Sequence, residues 1–336
     1  MKVVTFLGTG KYQPTCYVWG KQSFETTHFP EALAAWLKPD EMLVMLTSEA
    51  RAHENWATLQ RQLGTQVQLT PVDIPSGRSE LELWDIFELL TGALQPGDQV
   101  VFDITHAFRS LPLVGLLAAQ YLRVAQRVDL QGLMYGAFEA RDDQGRAPVF
   151  DLTPFLTLLD WLTATDRFLS TGNAGKLAEL LSDAHRLPWK QSAGGDRSEL
   201  PRHLGGLATS LQGLSDAMAV TRPVEASEQA RKVDAAIDHA ASESSRWARP
   251  FNVLLGHVRE ASDFLLPGDL AAHRQLVHWY VERGQIVQAV TLAAEWLISW
   301  TCQQLGVAQD DREERKAVTS GIENAMKQQS GRELHG

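Results

Sequence analysis

A strand that breaks into a polar loop and then into a helix constrains this chain more than any other stretch. Val100-Val101-Phe102-Asp103-Ile104-Thr105-His106-Ala107-Phe108-Arg109-Ser110-Leu111-Pro112 follows a turn signal at Pro96-Gly97-Asp98. Its apolar start is short and β-branched, the pattern of a strand covered on both faces. Ser110 suits an N-cap and Pro112 fits only the first helical turn, so the spacing predicts a helix from near Leu111 to about Gln126. Thr105 to Ser110 then lie between the carboxyl end of a strand and the amino end of a helix. In an open α/β sheet that junction offers unpaired amides and a positive helix end to an anion.

The loop side chains suit a phosphate-bearing ligand. Thr105 and Ser110 carry hydroxyl donors, His106 can donate or accept, and Arg109 can fork onto phosphate oxygens. A strand-to-helix junction also carries polar residues when it binds nothing, so composition alone leaves both readings open. A second loop, Gly8-Thr9-Gly10-Lys11, follows an apolar run at Val3 to Leu7. Two glycines there let backbone approach a ligand, and Lys11 adds a point charge; taken alone, the pair also reads as a tight turn. The dinucleotide fingerprint fails because position 13 is Gln and no helix opens at Gly10, which disfavours a nicotinamide or flavin oxidoreductase.

Strand and helix patterns alternate over residues 1 to about 127. Short strands are predicted at Val3 to Leu7, Cys16 to Trp19, Ser23 to His28, Met42 to Leu46 and Gln66 to Ile74. Between them, Pro30 opens a helix to Leu37 and Ser48 caps one running to about Leu63. Ser79 begins a helix with Leu81, Leu83, Ile86, Leu89 and Leu90 inward. Leu130 to Phe138 and Pro148 to Leu152 read as strands joined by the turn Asp142-Asp143-Gln144-Gly145. The fold class expected is α/β with a mostly parallel sheet, helices on both faces and a terminal hairpin, over residues 1–152.

At Thr153-Pro154 the strand signals stop, and residues 153–336 read as all-α. Predicted helices include Leu204 to Met218, Ser227 to Ser245, Arg249 to Leu266 and Ile286 to Leu305, with Pro188 to Pro201 as a loop-like excursion. The net charge of -10 argues against broad capture of duplex DNA, so a nucleotide ligand needs a local site. Only Cys16 and Cys302 are present, without metal-ligand spacing, which fits reduced thiols in a cytoplasmic protein. The first apolar run is too short for a signal peptide, and the stretch Ala289 to Trp300, interrupted by Glu295, is too short for a membrane span.

Three separated motifs, Phe6-Leu7-Gly8-Thr9-Gly10-x-Tyr12, Asp103-Ile104-Thr105-His106-Ala107-Phe108-Arg109-Ser110-Leu111-Pro112 and Met134-Tyr135-Gly136-Ala137-Phe138-Glu139-Ala140, carry a resemblance. Together they resemble the CARF-domain ancillary proteins of type III CRISPR systems, in the subgroup named for its DxTHG motif. The helical half is similar more loosely, through Trp279-Tyr280, Gly284, Gln288-Ala289 and Glu295-Trp296-Leu297. The resemblance implies a Rossmann-like sensor joined to a helical HEPN-like ribonuclease domain. It implies no cofactor, and cyclic tetra-adenylate or cyclic hexa-adenylate as the allosteric ligand. The residues falling on the ligand-lining positions are Gly8, Thr9, Gly10, Lys11, Thr105, His106, Ala107, Phe108, Arg109 and Ser110. Ala107 stands where the family has Gly, and its methyl group would cost binding if the backbone there needed a positive φ. A ring of this kind can be two-fold symmetric, which matches a homodimer holding half of it per protomer.

The implied nuclease acts on single-stranded RNA without a metal, through an Arg followed after four to six residues by His. Here His serves as general acid or base and Arg meets the developing phosphorane charge. Arg197 and His203 have that spacing but flank Pro201 in the loop-like segment. Arg249 and His257 lie one residue too far apart, Arg274 and His278 one too close, and Arg332 and His335 closer still. No catalytic residue is assigned. Two further readings therefore stand beside the sensor with a ribonuclease domain: a binding module whose helical half serves dimerisation or partner docking, and a sensor that degrades its own ligand.

Overall fold

The computed structural model describes all residues except 108–109, 193–196, 310 and 334–336, and leaves aside the side chains at 191 and 329–333. The chain divides into two compact units, 1–157 and 158–336, with the division falling inside one long helix.

Unit 1 is built on eight strands: β1 Lys2–Leu7, β2 Thr15–Trp19, β3 Gln22–Thr26, β4 Glu41–Leu46, β5 Gln68–Asp73, β6 Gln99–Asp103, β7 Asp129–Gly136 and β8 Arg146–Asp151. Its helices are α1 Phe29–Leu37, α2 Ser48–Arg51, α3 Glu54–Leu63, α4 Glu80–Gly92 and α5 Leu111–Ala125, with α6 Thr153–Thr171 leading into unit 2. The sheet order is β3-β2-β8-β7-β6-β1-β4-β5, and β7, β6, β1, β4 and β5 run parallel. The expected hairpin, β7 with β8, lies inside the sheet. Beyond it β8 pairs in parallel with β2, and the antiparallel ribbon β2–β3 forms the edge.

Side-chain alternation builds a core on each face of the sheet. Val4, Phe6, Met45 and Phe102 pack with Ile86 and Leu90 of α4 and Ala118 and Leu122 of α5. Val3, Leu7, Val44 and Val101 face Phe29 and Leu33 of α1 and Trp56 and Leu59 of α3. Several local expectations are corrected. The helix expected from Ser48 to Leu63 is two helices: Thr47, not Ser48, caps the first by accepting the Ala50 amide, and His53 caps the second by accepting that of Asn55. In α4, Ser79 caps as expected, yet Leu81 and Leu89 face outward. Ser110 occupies the N-cap position of α5 without a side-chain cap bond.

Unit 2 is helical in its described residues: α7 Gly175–Gln191, α8 Leu204–Ala219, α9 Pro223–Trp247, α10 Arg249–Asn252, α11 Leu255–Glu260, α12 Leu270–Glu282, α13 Ile286–Leu305 and α14 Arg312–Glu333. Pro188 stands within the last turn of α7, so the excursion begins later than expected. Arg249 to Leu266, expected as one helix, is three short turns, the last a 3₁₀ turn at Asp263–Leu265. The core of the unit is laid down by Trp161 and Phe168 of α6, Leu177 and Leu181 of α7, Leu207 and Leu211 of α8, Val233 of α9 and Tyr280 of α12.

Candidate functional site

Strand order reverses at β1, which has β4 on one side and β6 on the other. Loops leaving the carboxyl ends of neighbouring parallel strands diverge there and leave a crevice. Gly8, Thr9, Gly10 and Tyr12 after β1, Thr47 and Glu49 after β4, Ser76 and Arg78 after β5, and Thr105, His106 and Ala107 after β6 line an open cleft of 510 Å³. A neighbouring cleft of 290 Å³ is lined by Lys11, Gln13, Tyr17, Tyr135, Phe138 and Glu139. Tyr12, Thr105 and His106 line both, and the Tyr12 and His106 rings stack with centroids 4.0 Å apart. The stacked pair thus stands as a partition between the two clefts.

The segment from Asp103 to His106 is fixed from within. Asp103, fully buried, accepts from the Thr105 amide at 2.9 Å and from the Thr5 hydroxyl at 2.7 Å, an Asx-type turn that bends the chain as it leaves β6. Burial pushes its carboxyl up to about 6, against the pull of those hydrogen bonds. The Thr105 hydroxyl accepts the Gly136 amide of β7 at 2.7 Å. Nε2 of His106 accepts the Phe29 amide at 3.2 Å, so an imidazole from the β6 loop serves the first amide of α1. That bond requires an unprotonated Nε2 and puts the ring proton on Nδ1. Burial, with His28 nearby, holds the His106 pKa down at about 3. His106 therefore meets a ligand as a neutral ring.

The β1 loop has its own brace. The Asn55 side chain donates to the carbonyls of Gly8 at 2.9 Å and Gly10 at 3.0 Å, and the Gly8 amide donates to the Tyr12 hydroxyl at 2.9 Å. A Cβ at Gly8 would sit 3.3 Å from that hydroxyl oxygen, and one at Gly10 would sit 3.2 Å from the Tyr12 ring. Both glycines thus make room for the chain's own tyrosine, and neither has a positive φ. Ala107 also has no positive φ, and its methyl group packs against the core, so alanine carries no backbone strain there.

Among the described residues, the amides of Thr9, Gly10 and His106 have no acceptor, which leaves them with the Thr9 hydroxyl as donors toward a ligand. Arg78 brings a guanidinium to the rim, 3.6 Å from Glu49, whose carboxylate an entering anion must displace from it. Lys11 is exposed on the second cleft beside Glu139. Ser110 lies outside both linings, and Phe108 and Arg109 fall outside the described residues. Sequence reasoning gave no role to Asn55, Glu49, Ser76 or Arg78, none of which lies in a recognisable motif. Tyr12 was legible only as a motif letter. Among the described residues no group of three or more His, Cys, Asp or Glu is arranged to hold a metal ion. No helix among them is long and apolar enough to cross a membrane.

Arg197 and His203 lie at the approach to α8. The His203 ring stacks on that of His239 with centroids 5.4 Å apart, while Glu243 accepts the amides of Arg202 and His203, each at 2.8 Å. His257 and His278 are exposed, and His273 is buried.

Residues 157–263 match the family model described as CRISPR-associated protein MJ1674, second domain. A 113-residue stretch, 33% of this chain, is 33% identical to CRISPR-associated protein MJ1674 of Methanocaldococcus jannaschii and covers 18% of that protein. The matching family model and the matching relative are thus both CRISPR-associated. The family match falls on the helical part of the chain and includes none of the residues that line the cleft.

Proposed function

We propose that unit 1 is the sensor half of a CRISPR-linked antiviral protein and that its cleft holds a cyclic oligoadenylate, the phosphates meeting the loops after β1 and β6. The observation that carries this reading is the cleft's place at the reversal of strand order, lined by Thr9, Gly10 and His106, whose amides have no acceptor among the described residues. The likeness of residues 157–263 to a domain of a CRISPR-associated protein supports the same setting. The neighbouring cleft, with the half-buried Tyr135 and Phe138, offers aromatic surface for a base. The reading includes a homodimer. In its support, α4 and α5 expose Leu81, Trp84, Leu113, Leu117, Tyr121 and Val124, and the Phe87 ring touches both Trp84 and Tyr121, which ties the two helices into one apolar face.

Calorimetric titration with cyclic tri-, tetra- and hexa-adenylate tests the sensor, repeated on Thr9→Val and Arg109→Ala. Saturable binding of one ring size per dimer, weakened in both variants, is the expected result; absence of binding to all three rings ends the reading. For the helical unit we favour a ligand-controlled docking or dimerising role over ribonuclease action, because Arg197 and His203 sit in an irregular approach to α8 rather than on facing helices. RNA cleavage that appears with the ligand and is lost on substitution of one histidine in unit 2 reverses that preference. Recovery of linear products from labelled ligand would add self-limiting ring cleavage to the sensor.

A further inference from the structure

Tyr12 occupies two places in the unit 1 cleft that suit a nucleotide. Its hydroxyl accepts the Gly8 amide at 2.9 Å, and its ring stacks on His106 with centroids 4.0 Å apart and planes at 29°. A backbone amide has one proton, so an anion on Gly8 must first replace the Tyr12 hydroxyl. Nor can a base share the face of His106 that Tyr12 covers. Tyr12, Thr105 and His106 border both the 510 Å³ cleft and its 290 Å³ neighbour. A ligand with its phosphate in one and its base in the other therefore has to pass the stacked pair. His106 is pinned by the Phe29 amide, which leaves Tyr12 as the half that can move.

The way the loop is anchored supports such a movement. The carbonyls of Gly8 and Gly10 are fixed by the Asn55 side chain of α3. Residues 11–14, by contrast, belong to no helix or strand and make no backbone–backbone hydrogen bond among the described residues. Gln13 and Pro14 are exposed. Tyr12 is kept in place by its side chain alone: the hydroxyl on Gly8, the stack on His106 and an edge contact with the His28 ring at 5.6 Å. It can leave its seat without breaking a backbone hydrogen bond and without disturbing the carbonyls that Asn55 fixes. Its departure would add the Gly8 amide to those of Thr9 and Gly10, three successive donors in one loop.

We propose that Tyr12 is a displaceable stopper in the ligand site: an entering nucleotide evicts it, a phosphate oxygen taking the place of the hydroxyl on the Gly8 amide and the base taking the place of the ring on His106. This rests on the reading of unit 1 as a cyclic oligoadenylate sensor. Specificity follows from the need to replace both contacts. Inorganic phosphate brings no ring for His106, and adenosine brings no anion for Gly8, so each leaves one contact unmatched. A nucleotide unit of the cyclic ligand brings both. The observed affinity is the intrinsic one reduced by the fraction of chains in which Tyr12 stands clear, so loosening its hold tightens binding. In Tyr12→Phe the ring keeps its stack on His106 while the Gly8 amide loses its acceptor, a deficit that a phosphate oxygen then removes.

The test uses the full chain, wild type and Tyr12→Phe, titrated by calorimetry with cyclic tri-, tetra- and hexa-adenylate. Tyr12→Phe should bind the preferred ring about tenfold more tightly than wild type. Fluorine resonances of protein grown with 3-fluorotyrosine give a second readout: the chain has five tyrosines, and the signal missing from Tyr12→Phe identifies Tyr12. At saturation with the ring that signal should move toward the position of an exposed tyrosine, and it should stay in place with adenosine or inorganic phosphate. This measurement on wild type carries the test even if the variant folds poorly. Equal or weaker binding by Tyr12→Phe overturns the stopper and leaves the sensor standing, as does a Tyr12 signal unmoved at saturation or moved equally by inorganic phosphate. Binding by Tyr12→Phe but not by wild type supports it. Absence of binding to every ring by both proteins ends the sensor reading and the stopper with it.

Discussion

Asp103 sits where the ligand loop begins, and its ionisation makes the fold sensitive to pH. Its carboxyl titrates at about 6 in the folded chain against 3.8 for the ordinary group, with burial the main cause. Between those values the folded state binds more protons than the unfolded state, so stability falls as pH rises through the window, by about 2–3 kcal/mol. His106 acts in the opposite sense: its pKa is depressed to about 3 from 6.5, so its contribution is present above the higher value and is lost as pH falls toward the lower. Asp103→Asn can still accept the Thr105 amide and can donate to Thr5, which isolates the first effect. Urea titrations at about pH 4 and about pH 6.5 should show the acid-side gain from Asp103 vanish in the variant while the loss from His106 remains. Asn55→Ala strips the carbonyls of Gly8 and Gly10 of their donor, with an expected cost of about 1–3 kcal/mol in the same assay and weaker ligand binding. Gly136→Ala places a methyl group 2.8 Å from the Tyr17 ring and 3.0 Å from that of Phe29, and should cost about 1–3 kcal/mol through overpacking.

At the scale of helices and strands, the α4–α5 face makes its own prediction. Leu117→Lys and Trp84→Lys alter exposed positions, so both variants should keep the wild-type melting temperature within about 2 °C while shifting sedimentation toward the monomer. Wild type that is monomeric at the same concentration removes the dimer. The same pair of helices shows what the residue pattern could and could not convey. The elements of the sheet were legible because buried parallel strands are short apolar runs flanked by turn residues, as at Met42 to Leu46. Which apolar residues of α4 face the sheet was not legible: Leu81 and Leu89 share the helix with Ile86 and Leu90, and its periodicity serves an inner and an outer face at once. Nor were the roles of Thr105 and His106, whose partners Gly136 and Phe29 lie 31 and 77 residues away. Their polar character suggested a ligand, while most of their bonding capacity goes into holding the loop.

For the molecule as a whole, both cores of unit 1 are assembled from its own residues. A fragment of residues 1–171, which keeps α6 intact, should therefore unfold cooperatively and retain a near-ultraviolet dichroism signal from its buried aromatics. A featureless spectrum and a gradual melt would contradict this. The pairing of β2 with β8 bears on how the molecule is made. Cys16 is aligned with Arg146, so the ribbon β2–β3 leaves the ribosome long before the strand it must join. Until residues 146–151 emerge, the open side of β2 is an unpaired edge on a nascent chain, the kind of surface that chaperones cover and that recruits stray strands. Closing this last seam spans some 130 positions and incurs the largest loop entropy in the sheet, so the ribbon should be the slowest part of unit 1 to gain protection from hydrogen exchange during refolding.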